Sequence, residues 1–137
     1  IFTASPHDLL RVLRESGSDS LRLCFDVAHA QNTCNFLLQN PRTRAFFGVS
    51  KLTVKEFCNM IIDRIDLVHL SDAKGVIARR GTDNLPLGLG EIDFRKALEP
   101  ILVRRRPPPI VLETDEIDVN NAINMIRARE FLSRIMA

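Results

Sequence analysis

One stretch decides the fold of this chain: Ile65-Asp66-Leu67-Val68-His69-Leu70-Ser71-Asp72-Ala73-Lys74-Gly75. Its first six residues are mostly apolar and partly β-branched, which is typical of a short strand buried on both faces of a parallel sheet. The strand runs out at His69 and Leu70, and the residues that follow favour a turn. Because α/β folds place their chemistry at the carboxyl ends of parallel strands, the stretch predicts a strand that delivers a histidine to a functional edge.

Two further runs have the same form. Leu21–Phe25 leads into Asp26, and Pro109–Leu112 leads into Glu113. We therefore expect Asp26, His69 and Glu113 to meet at one rim, where two carboxylates and an imidazole suit a divalent ion such as Mn²⁺, Mg²⁺, Zn²⁺ or Fe²⁺. The alternative is that each residue caps a loop or forms an ion pair at the rim, which is the commoner role for any one of them.

Composition limits the class of protein. A chain of 137 residues, 45% hydrophobic and 26% charged, suits a single globular domain over residues 1–137. The net charge of +2 is too small to indicate nucleic acid, and no apolar run approaches the roughly 20 residues of a membrane span. No signal peptide is visible, and because the sequence begins with Ile1 we expect that it does not begin at a native start. The three cysteines, Cys24, Cys34 and Cys58, show no close pairing, so we expect buried free thiols in a reducing cytoplasm rather than a zinc-thiolate site.

Helices are predicted between the strands. Helix starts are predicted at four residues whose side chains can cap a helix: Ser5, Thr53, Asp93 and Asp118. The helix that starts at Ser5 is expected to stop at Gly17, and the helix that starts at Asp93 is expected to kink at Pro100. The helix that starts at Asp118 is expected to run towards Met136. Within the long connection of residues 30–52, Asn40-Pro41 and Phe46–Gly48 argue against one continuous helix, and Thr33–Gln39 is a candidate for a short one.

Helices that alternate with strands predict an α/β fold of parallel βα units. The candidate ligands Asp26, His69 and Glu113 are 43 and 44 residues apart along the chain, near-equal steps that suit the units of a (β/α)8 barrel. Three strands cannot close a barrel of eight. The chain is therefore expected to be a fragment or one chain of a split barrel, with a small open sheet as the alternative.

Other polar side chains follow the predicted strands. His29 is placed to bind a second metal, bind substrate or shuttle protons, although a solvent-facing or buried structural histidine is nearly as common. Lys74 and Arg80 are candidates for holding an anionic group of a substrate, with exposed loop charges as the alternative. Asp72 lies at a turn, where the ordinary role of an aspartate is to bind backbone N–H groups.

With these residues in place, the chain resembles the xylose isomerase-like TIM barrel superfamily, which includes sugar and sugar-phosphate isomerases and epimerases and the endonuclease IV type of AP endonuclease. Four stretches carry the resemblance: Cys24–Ala30, Val68–Gly75, Leu85–Phe94 and Ile110–Thr114. Their order and spacing match the last three strands of the family. The resemblance implies the C-terminal part of a TIM barrel, with the N-terminal half supplied by the same or a separate chain.

The resemblance also implies roles for individual residues. Asp26, His69 and Glu113 correspond to three ligands of the shared metal, and the fourth ligand, a glutamate, would lie before Ile1. In isomerase and epimerase members the Glu113 equivalent is also catalytic, moving protons beside the substrate carbonyl while the metal polarises that carbonyl and stabilises an enediolate. His29 corresponds to a substrate-contacting or second-metal histidine, and we include it among the catalytic candidates.

One departure from the family pattern separates its two branches. The endonuclease branch has Asp-x-His before the Pro-Leu-Gly segment, but this chain has Thr82-Asp83-Asn84 there, and neither Thr82 nor Asn84 is a good zinc ligand. A trinuclear zinc site is therefore disfavoured, and Asn84 is instead a candidate for binding a substrate hydroxyl.

These observations rank the candidate functions. We expect a cytoplasmic, divalent-metal-dependent isomerase or epimerase of a small sugar or sugar-like substrate that works by proton transfer through an enediolate. The alternatives are an endonuclease IV-like AP endonuclease and a non-catalytic barrel fragment. We expect no membrane partner, nucleic acid is disfavoured, and assembly into a homo-oligomer is left open.

Overall fold

The computed structural model describes residues 5–46, 51–76 and 82–135. Three strands form one sheet in the order β1-β2-β3, and both neighbouring pairs are parallel. The strands are β1 (Leu23–Asp26), β2 (Ile65–Leu70) and β3 (Ile110–Leu112). The helices are α1 (Pro6–Glu15), α2 (Val27–Gln39), α3 (Pro41–Phe46), α4 (Val54–Ile61), α5 (Phe94–Leu102) and α6 (Ile123–Ile135), with a 3-10 turn at Ile62–Arg64. The predicted α/β architecture of parallel βα units is confirmed.

The register of the sheet aligns the carboxyl ends of all three strands. Asp26 pairs with His69, and His69 pairs with Val111 on the other side. The ladder continues past β3, because the backbone N–H of Glu113 donates to the carbonyl of Leu70 at 3.0 Å. The last residues of three successive strands therefore lie side by side at one edge.

The sheet has one covered face and one open face. Along β2, Val68 and Leu70 are fully buried, whereas Leu67 and His69, which alternate with them, are partly exposed. The buried side chains join a core with the helices, in which the rings of Phe25 and Phe57 have centroids 5.9 Å apart. Each such side chain contributes roughly 1.5–3 kcal/mol of burial free energy, so the helices attach firmly to this face. The alternation leaves the functional side chains on the open face.

Most helix starts follow the predicted capping residues. Ser5 and Thr53 each form a reciprocal capping box with the acidic residue three positions later, and Asp93 accepts a hydrogen bond from the backbone of Lys96. These caps satisfy N–H groups that the first helical turn leaves without partners. The predicted starts of α1, α4 and α5 are confirmed, and α5 includes Pro100 and continues to Leu102.

Two predicted helix starts are wrong. The short helix expected at Thr33 begins instead at Val27, because Asp26 caps it by accepting the backbone N–H of His29 at 2.9 Å. The last helix begins at Ile123 rather than directly after Asp118, whose carboxylate caps a separate turn. That turn ends at Ala122 with a φ of 49°, a left-handed conformation that a continuous helix does not allow. Among the residues described, no helix is long and apolar enough to cross a membrane.

Candidate metal centre

Three side chains converge at the carboxyl edge of the sheet. Asp26 ends β1, His69 is the penultimate residue of β2, and Glu113 directly follows β3. Each offers one ligand atom, and these atoms all lie within 4.8 Å of one another. Nδ1 of His69 is 2.6 Å from Oε2 of Glu113. The expected meeting of acid, imidazole and acid is therefore present in the structure, because the parallel register puts these positions side by side.

The donor set and its spacing fit a divalent cation. Ligand oxygens and nitrogens lie about 2.0–2.2 Å from Zn²⁺ or Mg²⁺ and about 2.3–2.6 Å from Ca²⁺, so two donors to one ion are at most about 4–5 Å apart. The 4.8 Å limit of the three residues falls within that range. The side chains are 20%, 33% and 48% exposed for Asp26, His69 and Glu113, so an ion could enter from the open face. Carboxylate and imidazole ligands are compatible with several divalent metals.

The carboxylate of Asp26 both caps α2 and contacts the ring of His29. Its Oδ1 accepts the backbone N–H of His29 at 2.9 Å and so caps α2, and its Oδ2 lies 3.2 Å from Nδ1 of the His29 ring. His29 is more than half exposed, and its Nε2 lies 3.9 Å from Oδ2 of Asp83. The structure therefore places His29 beside the centre, where it is accessible from solvent. Asp83 is a neighbour of His29 that the sequence did not indicate.

Cys24 lies on the same open face of β1, two residues before Asp26, and is exposed. Burial raises the pKa of its thiol, and the negative charges of Asp26 and Glu113 raise it further, against a smaller lowering effect of a hydrogen bond with the backbone of His69. Burial is the largest cause of the raised pKa, and the two carboxylates add to it. The expected burial of Cys24 is nevertheless wrong, because the period-two alternation of a strand puts it on the open face with Asp26; Cys34 and Cys58 are buried as expected.

A buried aspartate fixes the loop that follows β2. The side chain of Asp72 accepts four backbone N–H groups, from Ala73 at 2.9 Å, Gly88 at 2.8 Å, Gly90 at 2.9 Å and Ile92 at 3.2 Å. The loop passes so closely that a side chain on Gly90 would overlap the Asp72 carboxylate and the carbonyl of Ala73. The expected backbone-binding role of Asp72 is confirmed, and it holds the loop against the sheet.

This loop brings Asn84 between the ends of two strands. The hydroxyl of Ser71, just after β2, is 3.5 Å from Oδ1 of Asn84, and the carbonyl of Asn84 accepts the N–H of Asp115, just after Glu113, at 2.8 Å. Asn84 has a φ of 56°, which asparagine tolerates better than most residues. Lys74 is exposed in the same loop, and Arg80 lies outside the described residues.

A cavity of about 330 Å³ lies outside this centre. It is bounded by α2 and by the starts of α4 and α5, with Leu38, Leu52 and Ile92 in its wall. Asp26, His69 and Glu113 are not among its lining residues. Access to the centre is therefore from the open face of the sheet rather than from this cavity.

The chain is similar to a known protein family and to a solved structure. The family model described as xylose isomerase-like TIM barrel matches residues 1–135. Among solved structures, a D-tagatose 3-epimerase-like protein superimposes with a TM-score of 0.60 at 21% sequence identity, covering 96% of this chain and 40% of that one. No curated protein matches this chain. The chain thus spans about two fifths of the length of its structural neighbour, and at this identity the likeness concerns the fold.

Proposed function

Because the chain belongs to the xylose isomerase-like TIM barrel family, we propose that it is the metal-binding part of a divalent-metal-dependent isomerase or epimerase of a small sugar or sugar-like molecule. The observation that carries the proposal is the convergence of Asp26, His69 and Glu113 within 4.8 Å at the end of a parallel sheet. The likeness to a D-tagatose 3-epimerase-like protein supports a sugar as the substrate class.

Asp26, His69 and Glu113 would hold the ion, which would supply a Lewis acid for the substrate carbonyl. Glu113 is the most exposed of the three, so its carboxylate is the best placed to exchange a proton with a carbon beside that carbonyl. We propose this proton transfer, through an enediolate, as the reaction. His69 is held in position by its 2.6 Å contact with Glu113.

The substrate is proposed to lie over the open face, between the strand ends. The exposed ring of His29 is held beside Asp26 and is available to contact a hydroxyl or transfer a proton. Asn84 lies between the ends of β2 and β3, where its amide is suited to a substrate hydroxyl. Lys74 and Arg80 are proposed for an anionic group, if the substrate carries one.

The rest of the barrel is proposed to come from the N-terminal half, in the same or a separate chain. The present residues form three strands of a barrel that has eight. Three donors also leave room for the fourth ligand that family members carry on a preceding strand. The endonuclease IV type remains the second candidate, and Thr82 and Asn84 count against it because neither is a good zinc ligand.

The proposed reaction can be tested by hydrogen exchange. The full-length protein, supplied with Mn²⁺ or Mg²⁺ and a panel of small ketoses in deuterated water, is expected to place deuterium on the carbon beside the carbonyl, seen by NMR. Glu113→Gln is expected to reduce the exchange rate at least about 100-fold, since general acid–base groups typically contribute that much. Glu99→Gln is the matched control, because Glu99 is similarly exposed and pairs with Lys55 in an exposed salt bridge away from the three residues. Exchange that persists in Glu113→Gln would contradict the assigned role.

A further inference from the structure

Asp83 lies in the loop after β2, at a position that the backbone fixes on both sides. The N–H of Lys74 donates to the carbonyl of Thr82 at 2.9 Å. Asp72 and Leu85 form an antiparallel bridge through two backbone hydrogen bonds, of 2.8 and 3.0 Å. Asp83 lies between the two anchored residues Thr82 and Leu85, so the fold limits where its carboxylate can reach.

The carboxylate of Asp83 faces His29 without forming a hydrogen bond to it. Oδ2 of Asp83 is 3.9 Å from Nε2 of His29, beyond the about 2.7–3.2 Å of an N–H···O hydrogen bond. The Asp83 side chain is 31% exposed, and among the residues described no group donates a hydrogen bond to it. Because a partly buried carboxylate is stabilised by hydrogen bonds, its oxygens are available to a donor from a bound molecule.

The gap between Asp83 and His29 has the size and polarity of a hydroxyl group. An oxygen about 2.8 Å from both Nε2 and Oδ2 would fit beside the two atoms, which are 3.9 Å apart. A hydroxyl there would donate to the carboxylate and accept a hydrogen bond from Nε2 when that nitrogen carries a proton. A phosphate ester would instead bring negative charge against Asp83, which is unfavourable. The gap therefore suits an uncharged polyol.

The ring of His29 links this gap to the metal centre. Nδ1 of His29 lies 3.2 Å from Oδ2 of Asp26, one of the three proposed ligands. The ring is more than half exposed, so both of its sides can be approached from solvent. Because only this ring separates the gap from the centre, one small sugar can reach both, with its carbonyl at the ion and a hydroxyl in the gap.

We propose that Asp83 determines specificity: together with His29 it binds a hydroxyl of the substrate and so selects an uncharged sugar over its phosphate ester. This inference rests on the proposed function, since it requires the sugar carbonyl to lie at the ion. Asp83 occupies the unspecified middle position of the Asp-x-His pattern, so the family resemblance gives it no role. Under this proposal Lys74 and Arg80 hold no phosphate.

The test measures sugar binding to the full-length protein and its Asp83 variants. D-Tagatose and D-fructose, each beside its 6-phosphate, are titrated into the Mn²⁺-loaded protein by calorimetry. The wild type is expected to bind a free ketose at least about 10-fold more tightly than its phosphate, because like charges placed together are strongly unfavourable. Asp83→Ala is expected to weaken ketose binding at least about 10-fold, as the loss of a hydrogen bond to a charged group does.

Two further variants make the comparison specific. Asp83→Asn keeps an oxygen acceptor but removes the charge, so it is expected to weaken ketose binding less than Asp83→Ala and to reduce the discrimination against the phosphate. Asp63→Ala is the matched control, because Asp63 is an exposed aspartate just before β2, at the opposite edge of the sheet. Its affinities for all four sugars are expected to equal those of the wild type.

Three results would overturn the inference. Unchanged ketose affinity in Asp83→Ala would mean that no hydroxyl binds there. A phosphate ester bound as tightly as the free ketose would mean that the loop does not exclude an anion. A second Mn²⁺ per chain that is lost in Asp83→Ala would mean that the carboxylate holds a cation instead.

Deuterium exchange in the same samples separates this inference from the proposed function. A ketose that binds with the expected preferences but does not exchange would refute the reaction and leave the role of Asp83 standing. Exchange and binding that are the same in Asp83→Ala as in the wild type would refute that role and leave the reaction standing. A wild type that binds none of the four sugars would contradict both.

Discussion

Replacing Asp72 with asparagine is expected to destabilise the protein more than any other single carboxylate-to-amide change in this region. Asp72 is 1% exposed, and each of its two oxygens accepts two backbone N–H groups. In asparagine one oxygen becomes an NH₂ group, so either orientation of the amide turns a donor towards two N–H groups. Two N–H groups then lose their acceptor, either the buried pair of Ala73 and Ile92 or the partly buried pair of Gly88 and Gly90.

The magnitude follows from that geometry. A buried donor without a partner costs about 1–3 kcal/mol, so the loss of two acceptors costs roughly 2–6 kcal/mol of unfolding free energy, towards the lower end when the amide NH₂ faces the partly buried Gly88 and Gly90. Urea unfolding of the purified protein, followed by circular dichroism, measures the change directly. The loop that carries Asn84 is expected to loosen as well, which faster hydrogen exchange at the amides of Gly88 and Gly90 would report.

Asp66→Asn is the matched control. Asp66 also accepts two hydrogen bonds, from Arg22 at 3.0 and 3.1 Å, but its side chain is 57% exposed. An exposed pair of this kind contributes about 0–1 kcal/mol. If Asp72→Asn costs no more than Asp66→Asn, the buried carboxylate does not hold the loop in place.

Three further predictions concern packing and ionisation. Gly90→Ala is expected to destabilise the protein by at least about 2 kcal/mol in urea unfolding, since overpacking a close backbone approach typically costs about 1–3 kcal/mol; a neutral result would contradict the close approach. Hydrogen bonds from the side chain and backbone of Thr53 hold the pKa of Glu56 below its ordinary value of 4.5, so its contribution to stability is present above pH 4.5 and is lost as the pH falls through the lower folded pKa. Glu56→Gln should therefore flatten the acid side of a Tm-against-pH curve, and an unchanged slope would refute this. Burial raises the pKa values of Cys34 and Cys58 to about 12, so the free energy of unfolding should fall as the pH rises above 9, where the thiols of the unfolded chain ionise. Both buried thiols should also resist iodoacetamide at pH 8 until the protein unfolds.

The sheet was predictable from the sequence because its strands are short, apolar and bounded by turn residues. Residues 65–70 form β2 as expected, and the other two strands differ from prediction by one or two residues at their ends. The strand ends also determine the candidate centre, since residues that end neighbouring parallel strands must lie together. Local signals are thus enough to predict which side chains meet.

The errors arise where one side chain has two roles. The sequence places Asp26 at the rim but does not reveal its simultaneous use as the cap of α2, so the predicted helix starts too late. Asp118 has the side chain of a helix cap, but Glu116 binds the first N–H groups of α6 instead. The sequence gives no sign that Glu116 would accept these N–H groups, because the turn that brings Glu116 to the start of α6 depends on tertiary structure. The approach of Asp83 to His29 is likewise a contact between distant segments.

The proposed function depends above all on Asp26, His69 and Glu113 holding one divalent ion. Titrating Mn²⁺ or Zn²⁺ into the metal-free full-length protein by calorimetry tests this most directly. We predict about one tight site per chain, with affinity reduced at least about 100-fold in His69→Ala or Glu113→Gln and unchanged in Glu99→Gln. Binding of no ion, or of an ion whose affinity is the same in all three variants, would contradict it, and three sites per chain would favour the endonuclease IV type.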